Sequence, residues 1–156
     1  MILYFAYGSN LDWVQMKQRC PSATFVNIAL LLNFKLAFTR KSHKRLCGVA
    51  DIIADESEHV WGVLYQISEL DLGNLDSYEG YNPSRTKNVY TRCEIHVYAC
   101  GDKKKPLTVF TYVIENKSMQ HIPPNKEYLD LLLKGAEHWH LPHEYIEKVN
   151  AVRTEE

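Results

Sequence analysis

The chain has 156 residues, of which 46% are apolar and 24% charged, and a formal net charge of −1. That length suits one globular domain over residues 1–156, long enough to bury roughly 70% of its unfolded surface. With no block of five or more like charges, it lacks the basic footprint needed to track a phosphate backbone, so nucleic acid is not an expected partner.

In chain order, ILYFAY (residues 2–7) is a short continuous apolar and aromatic run that predicts a strand buried on both faces. It stops abruptly in Gly8-Ser9-Asn10, after which LDWVQMKQ (11–18) predicts a short helix ended by Pro21. TFVNIALLLNFKLAF (24–38) predicts one long bent strand or two, although the LLL run leaves a helix open. The basic stretch RKSHKR, Arg40 to Arg45, reads as a solvated loop or as a docking patch. CGVADIIA (47–54) and EHVWGVLYQI (58–67) are bounded by charged turns and rich in β-branched and aromatic residues, so each predicts a strand. SELDLGNLDSYEG (68–80) predicts a helix with Ser68 as N-cap, Asp71 in a weak capping box and Gly80 as the αL residue past its end.

From 89 to 99 the alternation is clean. Val89, Thr91, Cys93, Ile95, Val97 and Ala99 share one face, and Tyr90, Arg92, Glu94, His96 and Tyr98 the other, the pattern of a half-solvated antiparallel strand. DKKKP (102–106) reads as a charged hairpin tip, and PLTVFTYVI (106–114) pairs back beyond it. PNKEYLDLLLKGAEHWH (124–140) places Tyr128, Leu131, Leu132 and Ala136 at helical spacing, and PHEYIEKVNAV (142–152) starts with Pro142 at N1. The sum is an α+β fold, a mixed, barrel-like sheet of about six strands with three to four short helices.

Cys20, Cys47, Cys93 and Cys100 show no C-x-x-C spacing and sit in or beside apolar segments, as small buried hydrophobes do, which favours a reducing compartment. No signal-like segment precedes the first strand, and no apolar run approaches the roughly 18 residues needed to span a bilayer. The expectation is a soluble cytoplasmic protein without a membrane partner. Oligomeric state is not legible, and a homodimer is left open.

Two features carry chemistry. Tyr7-Gly8-Ser9-Asn10 joins a strand end to a helix start, where backbone N–H groups and the macrodipole favour an anion such as a carboxylate or phosphate, and Gly8 lets a ligand approach the main chain. The simpler alternative is a turn at Gly8 with Ser9 or Asn10 capping the helix. The motif is neither G-x-S-x-G nor a P-loop, so Ser9 is not marked as a nucleophile. Glu79 is in phase with Leu72 and Leu75 at i, i+3, i+7, so its carboxylate shares the core-facing stripe. There the last turn's negative dipole end and partial burial both raise a carboxyl pKa, which suits a general base near neutral pH. An exposed Glu on a frayed helix end is the alternative. His138, His140 and His143 read as structural, since i and i+2 lie on different helix faces and Pro142 breaks the helix, so no metal is expected.

Taken together, YFAYGSNL at the first strand, RCPSATFVNIALLLNFKLAF, VWGVLYQI leading to LDSYEGY, TYVI, and the C-terminal EYLDLLLKGAEHWHLPHEYIEKV resemble the γ-glutamylcyclotransferase family and its AIG2-like relatives over nearly the whole chain. The resemblance implies that Tyr7, Gly8, Ser9, Asn10 and Leu11 line a pocket whose amides grip a γ-glutamyl group, and that Glu79 is the acid/base residue. It also implies that Tyr112, and Tyr90 by a less direct match, border the same pocket. The segment GYNPSRTKN between Glu79 and Tyr90 is longer than the family's commoner pattern, and its Arg85 is either a substrate contact or an exposed loop residue. The implied reaction is cyclisation of a γ-glutamyl amide to 5-oxoproline with release of the amine. It needs no metal, cofactor or enzyme nucleophile, because the substrate's α-amine attacks its own γ-carbonyl. A small-carboxylate binding module with an idle Glu79, and removal of a γ-glutamyl protecting group from a biosynthetic intermediate, are the competing readings.

Overall fold

A computed structural model describes residues 2–155. Five strands, β1 (Ile2–Ala6), β2 (Thr24–Lys41), β3 (Gly48–Ile67), β4 (Tyr90–Ala99) and β5 (Pro106–Ile114), close into a barrel in the order β1-β3-β2-β4-β5. All neighbours are antiparallel except β1 and β5, which meet in parallel with Tyr4 opposite Phe110. Four helices, α1 (Trp13–Arg19), α2 (Glu69–Tyr78), α3 (Lys126–His138) and α4 (His143–Asn150), decorate it. Among the described residues, no helix is long and apolar enough to cross a membrane.

The strand count is lower than expected because the runs read at 47–54 and 58–67 fall in one strand, β3, which starts at Gly48. The turn chemistry read at Asp55-Glu56-Ser57-Glu58 is real, since Asp55 Oδ1 accepts from the Ser57 N–H at 3.0 Å. Even so, β2 carries both halves of β3. Its register jumps from Leu32↔His59 to Phe34↔Ala54 across Asn33, whose φ is +68°, so one long bent ribbon absorbs the extra residues. Within the LLL run only Leu31 is fully buried, as strand alternation requires. In β1, Tyr4, Phe5 and Ala6 are all buried although successive side chains point to opposite faces. Both faces of its second half are therefore covered.

Two helix starts also differ from expectation. The chain makes a 3₁₀ turn over Ser9–Leu11, and α1 begins only at Trp13, capped by Asp12, which accepts from the Gln15 N–H at 3.1 Å. Ser9 and Asn10 therefore do not cap a helix. Pro142 stands at the N-cap of α4 and not inside it. At α2, Ser68 caps as expected, accepting from the Asp71 N–H at 3.2 Å. The reciprocal half of the capping box is missing, because the Asp71 carboxylate turns to the Ser22 N–H, 2.8 Å away, and to the Ser22 hydroxyl. The helix is thereby tied to the loop that follows α1.

The turn after β1 is clamped from behind. Tyr65 on β3 donates to the Asn10 carbonyl at 2.8 Å, Trp139 Nε1 donates to the Leu11 carbonyl at 3.0 Å, and Leu11 is 2% exposed. Beneath it, Trp13, Tyr65, Trp139 and Phe25 pack as an aromatic cluster, with Phe25 stacked on Trp139 at 4.2 Å between centroids. Helix α3 reaches this turn only because residue 135 is glycine. A Cβ there would lie 2.3 Å from the Leu11 carbonyl carbon. Gly135→Ala is therefore expected to cost about 1–3 kcal/mol. Chemical denaturation would show it, and unchanged stability would mean that the contact yields without strain.

Candidate active site

The Gly8–Asn10 turn, the end of α2, the first residues of β3 and β4, the last residues of β5 and the start of α3 converge at one end of the barrel. There a narrow recess is lined by Tyr7, Gly8, Ser9, Asn10, Glu79, Tyr90 and Tyr112 together with Tyr4, Ala50, Thr111 and Tyr128. It opens past Ser9, Glu79, Tyr90 and Tyr128 into an outer cavity of about 520 Å³. Of the residues expected at the pocket, only Leu11 stands apart, packed behind the turn. Arg85 lies on the surface, donating to the Gly80 carbonyl at 3.1 Å and stiffening the loop after α2.

Glu79 ends α2, and Gly80, with φ +66°, turns the chain away immediately after it. Its carboxylate has one hydrogen-bond donor among the described residues, the Asn10 side-chain amide at 3.3 Å. The orientation of that amide is imposed. Its oxygen accepts from Arg19 Nη1 at 3.1 Å and Gln15 Nε2 at 3.0 Å, which leaves its nitrogen for Glu79 and, at 3.0 Å, the Tyr4 hydroxyl. Gln15 Nε2 also donates to Ser9 Oγ at 2.8 Å, and Gln15 Oε1 accepts from Arg45 Nη2 at 2.8 Å. Ser9 is thus held by an amide, not by a base, and is not set up as a nucleophile.

Burial pushes the Glu79 carboxyl from the ordinary 4.5 up to about 7; the Arg19 and Arg45 charges pull against this, and Asp76 adds to it. Desolvation wins because neither arginine touches the carboxylate, each being engaged with an amide. The neighbouring tyrosines stay protonated, since burial raises Tyr4, Tyr7, Tyr90, Tyr112 and Tyr128 above the usual phenol range.

Hydroxyl partners divide these tyrosines into two kinds. Tyr7 donates to the Tyr112 carbonyl at 2.5 Å, Tyr90 to the Ala50 carbonyl at 2.6 Å and Tyr112 to Asp76 Oδ1 at 2.5 Å. Tyr4 and Tyr128 instead accept, from the Asn10 side chain and from the Ala50 N–H at 3.0 Å, so their own protons have no acceptor among the described residues. The same division runs through the turn. The carbonyls of Gly8, Ser9, Asn10 and Leu11 all accept hydrogen bonds, whereas the N–H groups of Gly8, Ser9 and Asn10 have no acceptor among the described residues. The recess therefore presents uncommitted donors around one carboxylate that ionises near neutrality. Such a site binds an anionic or carbonyl oxygen and moves a proton.

Sequence reasoning missed Tyr4, Gln15, Arg19, Arg45, Asp76 and Tyr128. Asp76 carried a usable signal, standing three residues before Glu79 and so on the same helix face. Tyr128 was counted only as an apolar position of α3. The stretch at residues 40–45, read as a solvated loop or a docking patch, is the end of β2 and the loop after it, and it lines the outer cavity. It is held over the barrel end by Arg45, which bonds Gln15 and lies 5.0 Å from the Tyr128 ring centroid.

The raised carboxyl has a thermodynamic signature. Between pH 4.5 and about 7 the folded state binds more protons at Glu79 than the unfolded state, so stability falls as pH rises through that window. Glu79→Gln is expected to match the wild type below it and to be more stable above it by about 1–3 kcal/mol. Parallel stability–pH curves for the two proteins would contradict the assignment.

A sequence model of the AIG2-like family matches residues 59–149. The gamma-glutamylcyclotransferase of Mus musculus is 34% identical over 158 residues, covering 99% of this chain and 80% of its own length. That of Homo sapiens is 34% identical over 154 residues, covering 96% and 78%. A solved structure of a gamma-glutamyl cyclotransferase superimposes with a TM-score of 0.89 at 32% identity, covering 99% of this chain and 89% of that one. Agreement of this extent in both sequence and backbone leads to one assignment: the chain belongs to the γ-glutamylcyclotransferase family.

Proposed function

We propose that this chain cyclises γ-glutamyl amides to 5-oxoproline and releases the free amine, with Glu79 as the general acid/base. The observation that carries this reading is a carboxyl raised to about 7 beside uncommitted donors in a confined recess. The substrate supplies its own nucleophile. Its α-nitrogen forms a bond to the γ-carbonyl carbon, closing a five-membered lactam, and the bond from that carbon to the leaving nitrogen breaks.

Two protons leave the α-nitrogen as an ammonium becomes a lactam N–H, and two are gained by the departing nitrogen as an amide N–H becomes an ammonium. One carboxylate that ionises near pH 7 can carry them in turn. The N–H groups of Gly8, Ser9 and Asn10 and the hydroxyls of Tyr4 and Tyr128 receive the substrate's oxygens. Tyr7, Tyr90 and Tyr112 shape the walls, their hydroxyls being committed to the main chain or Asp76. Folding the γ-glutamyl chain so that amine and carbonyl meet supplies the proximity that free substrate lacks. Four free cysteines suit the reducing cytoplasm in which we place the protein.

Glu79→Gln keeps the size of the side chain and removes the base, so kcat should fall by roughly 10²- to 10⁴-fold while 5-oxoproline still binds. Wild-type kcat/KM should rise with pH along a limb centred near 7, and the variant should lack that limb. The assay is 5-oxoproline release from γ-glutamyl amino acids, γ-glutamyl amines, γ-glutamyl-ε-lysine and glutathione. Silence across that panel with 5-oxoproline binding retained would mark a binding module instead.

A further inference from the structure

We infer that the outer cavity is built for a leaving amine with negative charge beyond a single carboxylate, namely an amino acid with an acidic side chain. This rests on the cyclotransferase reading and deepens it. The reacting atoms must meet Glu79, which lines both the recess and the outer cavity. With the γ-glutamyl group in the recess, the leaving group projects into the outer cavity.

The charge balance there is unlike that of the whole chain, which has 18 Lys and Arg against 19 Asp and Glu. Arg19, Arg40, Lys41, Lys44 and Arg45 all line the outer cavity, and Glu79 is the one acidic residue that does. Among the described residues, none of the five lies within 4.0 Å of a carboxylate. Arg19 and Arg45 are engaged with Asn10 and Gln15. The side chains of Arg40, Lys41 and Lys44 have no hydrogen bond among the described residues, so three like charges share the mouth without a counter-charge. Their mutual repulsion is relieved by a bound anion, and more completely by a second anionic group than by one carboxylate alone.

The test uses an isosteric pair on the full chain. γ-Glutamyl-glutamate and γ-glutamyl-glutamine differ in the charge of one side chain and hardly in size. Wild-type kcat/KM for the first should exceed that for the second by roughly tenfold at low salt. The ratio should shrink as ionic strength rises from about 0.05 M to about 0.5 M. Lys41→Met with Lys44→Met should bring it close to one. An equal loss on both substrates in that variant would assign the rim to the glutamyl half they share and overturn the inference. So would a wild-type ratio of one, with turnover intact. If neither substrate is turned over while another γ-glutamyl compound of the panel is, the inference alone is overturned; silence across the whole panel removes the cyclotransferase reading and the inference with it.

Discussion

The side-chain amide of Asn10 is the interaction on which the site depends. It is 2% exposed and fully paired, receiving Arg19 and Gln15 on its oxygen and giving its nitrogen to Glu79 and Tyr4. A cation and an amide on one side leave no choice about which end faces Glu79. The arrangement also sets distance. Arg19 approaches the carboxylate through an intervening amide, so its charge tempers the cost of burial without forming a salt bridge that would pin the group in its ionised form.

From that amide outward, each neighbour is fixed by a group that faces away from the recess. Tyr65 and Trp139 hold the carbonyls of the turn, Asp76 holds Tyr112, and the main chain of Ala50 accepts from Tyr90 at its carbonyl and donates to Tyr128 from its N–H. Support from behind is what leaves donors free in front. A recess built this way is preorganised, because no internal hydrogen bond need break before a ligand oxygen enters. Asp51 contributes to the same rigidity. Fully buried, it accepts from Thr39, the Ile114 N–H and Lys117, locking β3 to β5 one residue beyond Ala50.

Those parts of the fold that were legible in the sequence rest on local physics. The Ser68 cap, the left-handed Gly80 and the phase of Glu79 with Leu75 each need only a few neighbouring residues to be read, and the structure has each. The alternation of β4 holds over residues 94–97, whereas on its expected solvent face Tyr90 turns into the recess and Arg92 pairs with Asp76. What was not legible depends on partners far along the chain. The two halves of β3 are one strand because β2 runs beside both. Tyr128 becomes a cavity wall because it meets Ala50, 78 residues away. Arg45 is drawn to the cavity mouth because Gln15, 30 residues away, accepts a hydrogen bond from its guanidinium. A charged hexapeptide has the same local appearance whether it faces solvent or a ligand.

The contact between Gly135 and Leu11 has a consequence for how the molecule comes into being. The turn that opens the site is synthesised well before the helix that packs over it. A nascent chain can begin to assemble barrel strands while its cavity still lacks the Tyr128 wall and the Trp139 anchor. Contacts of such long sequence separation form late and slowly. Catalytic competence therefore waits on α3, and a copy that stops short of that helix exposes the turn without the means to use it.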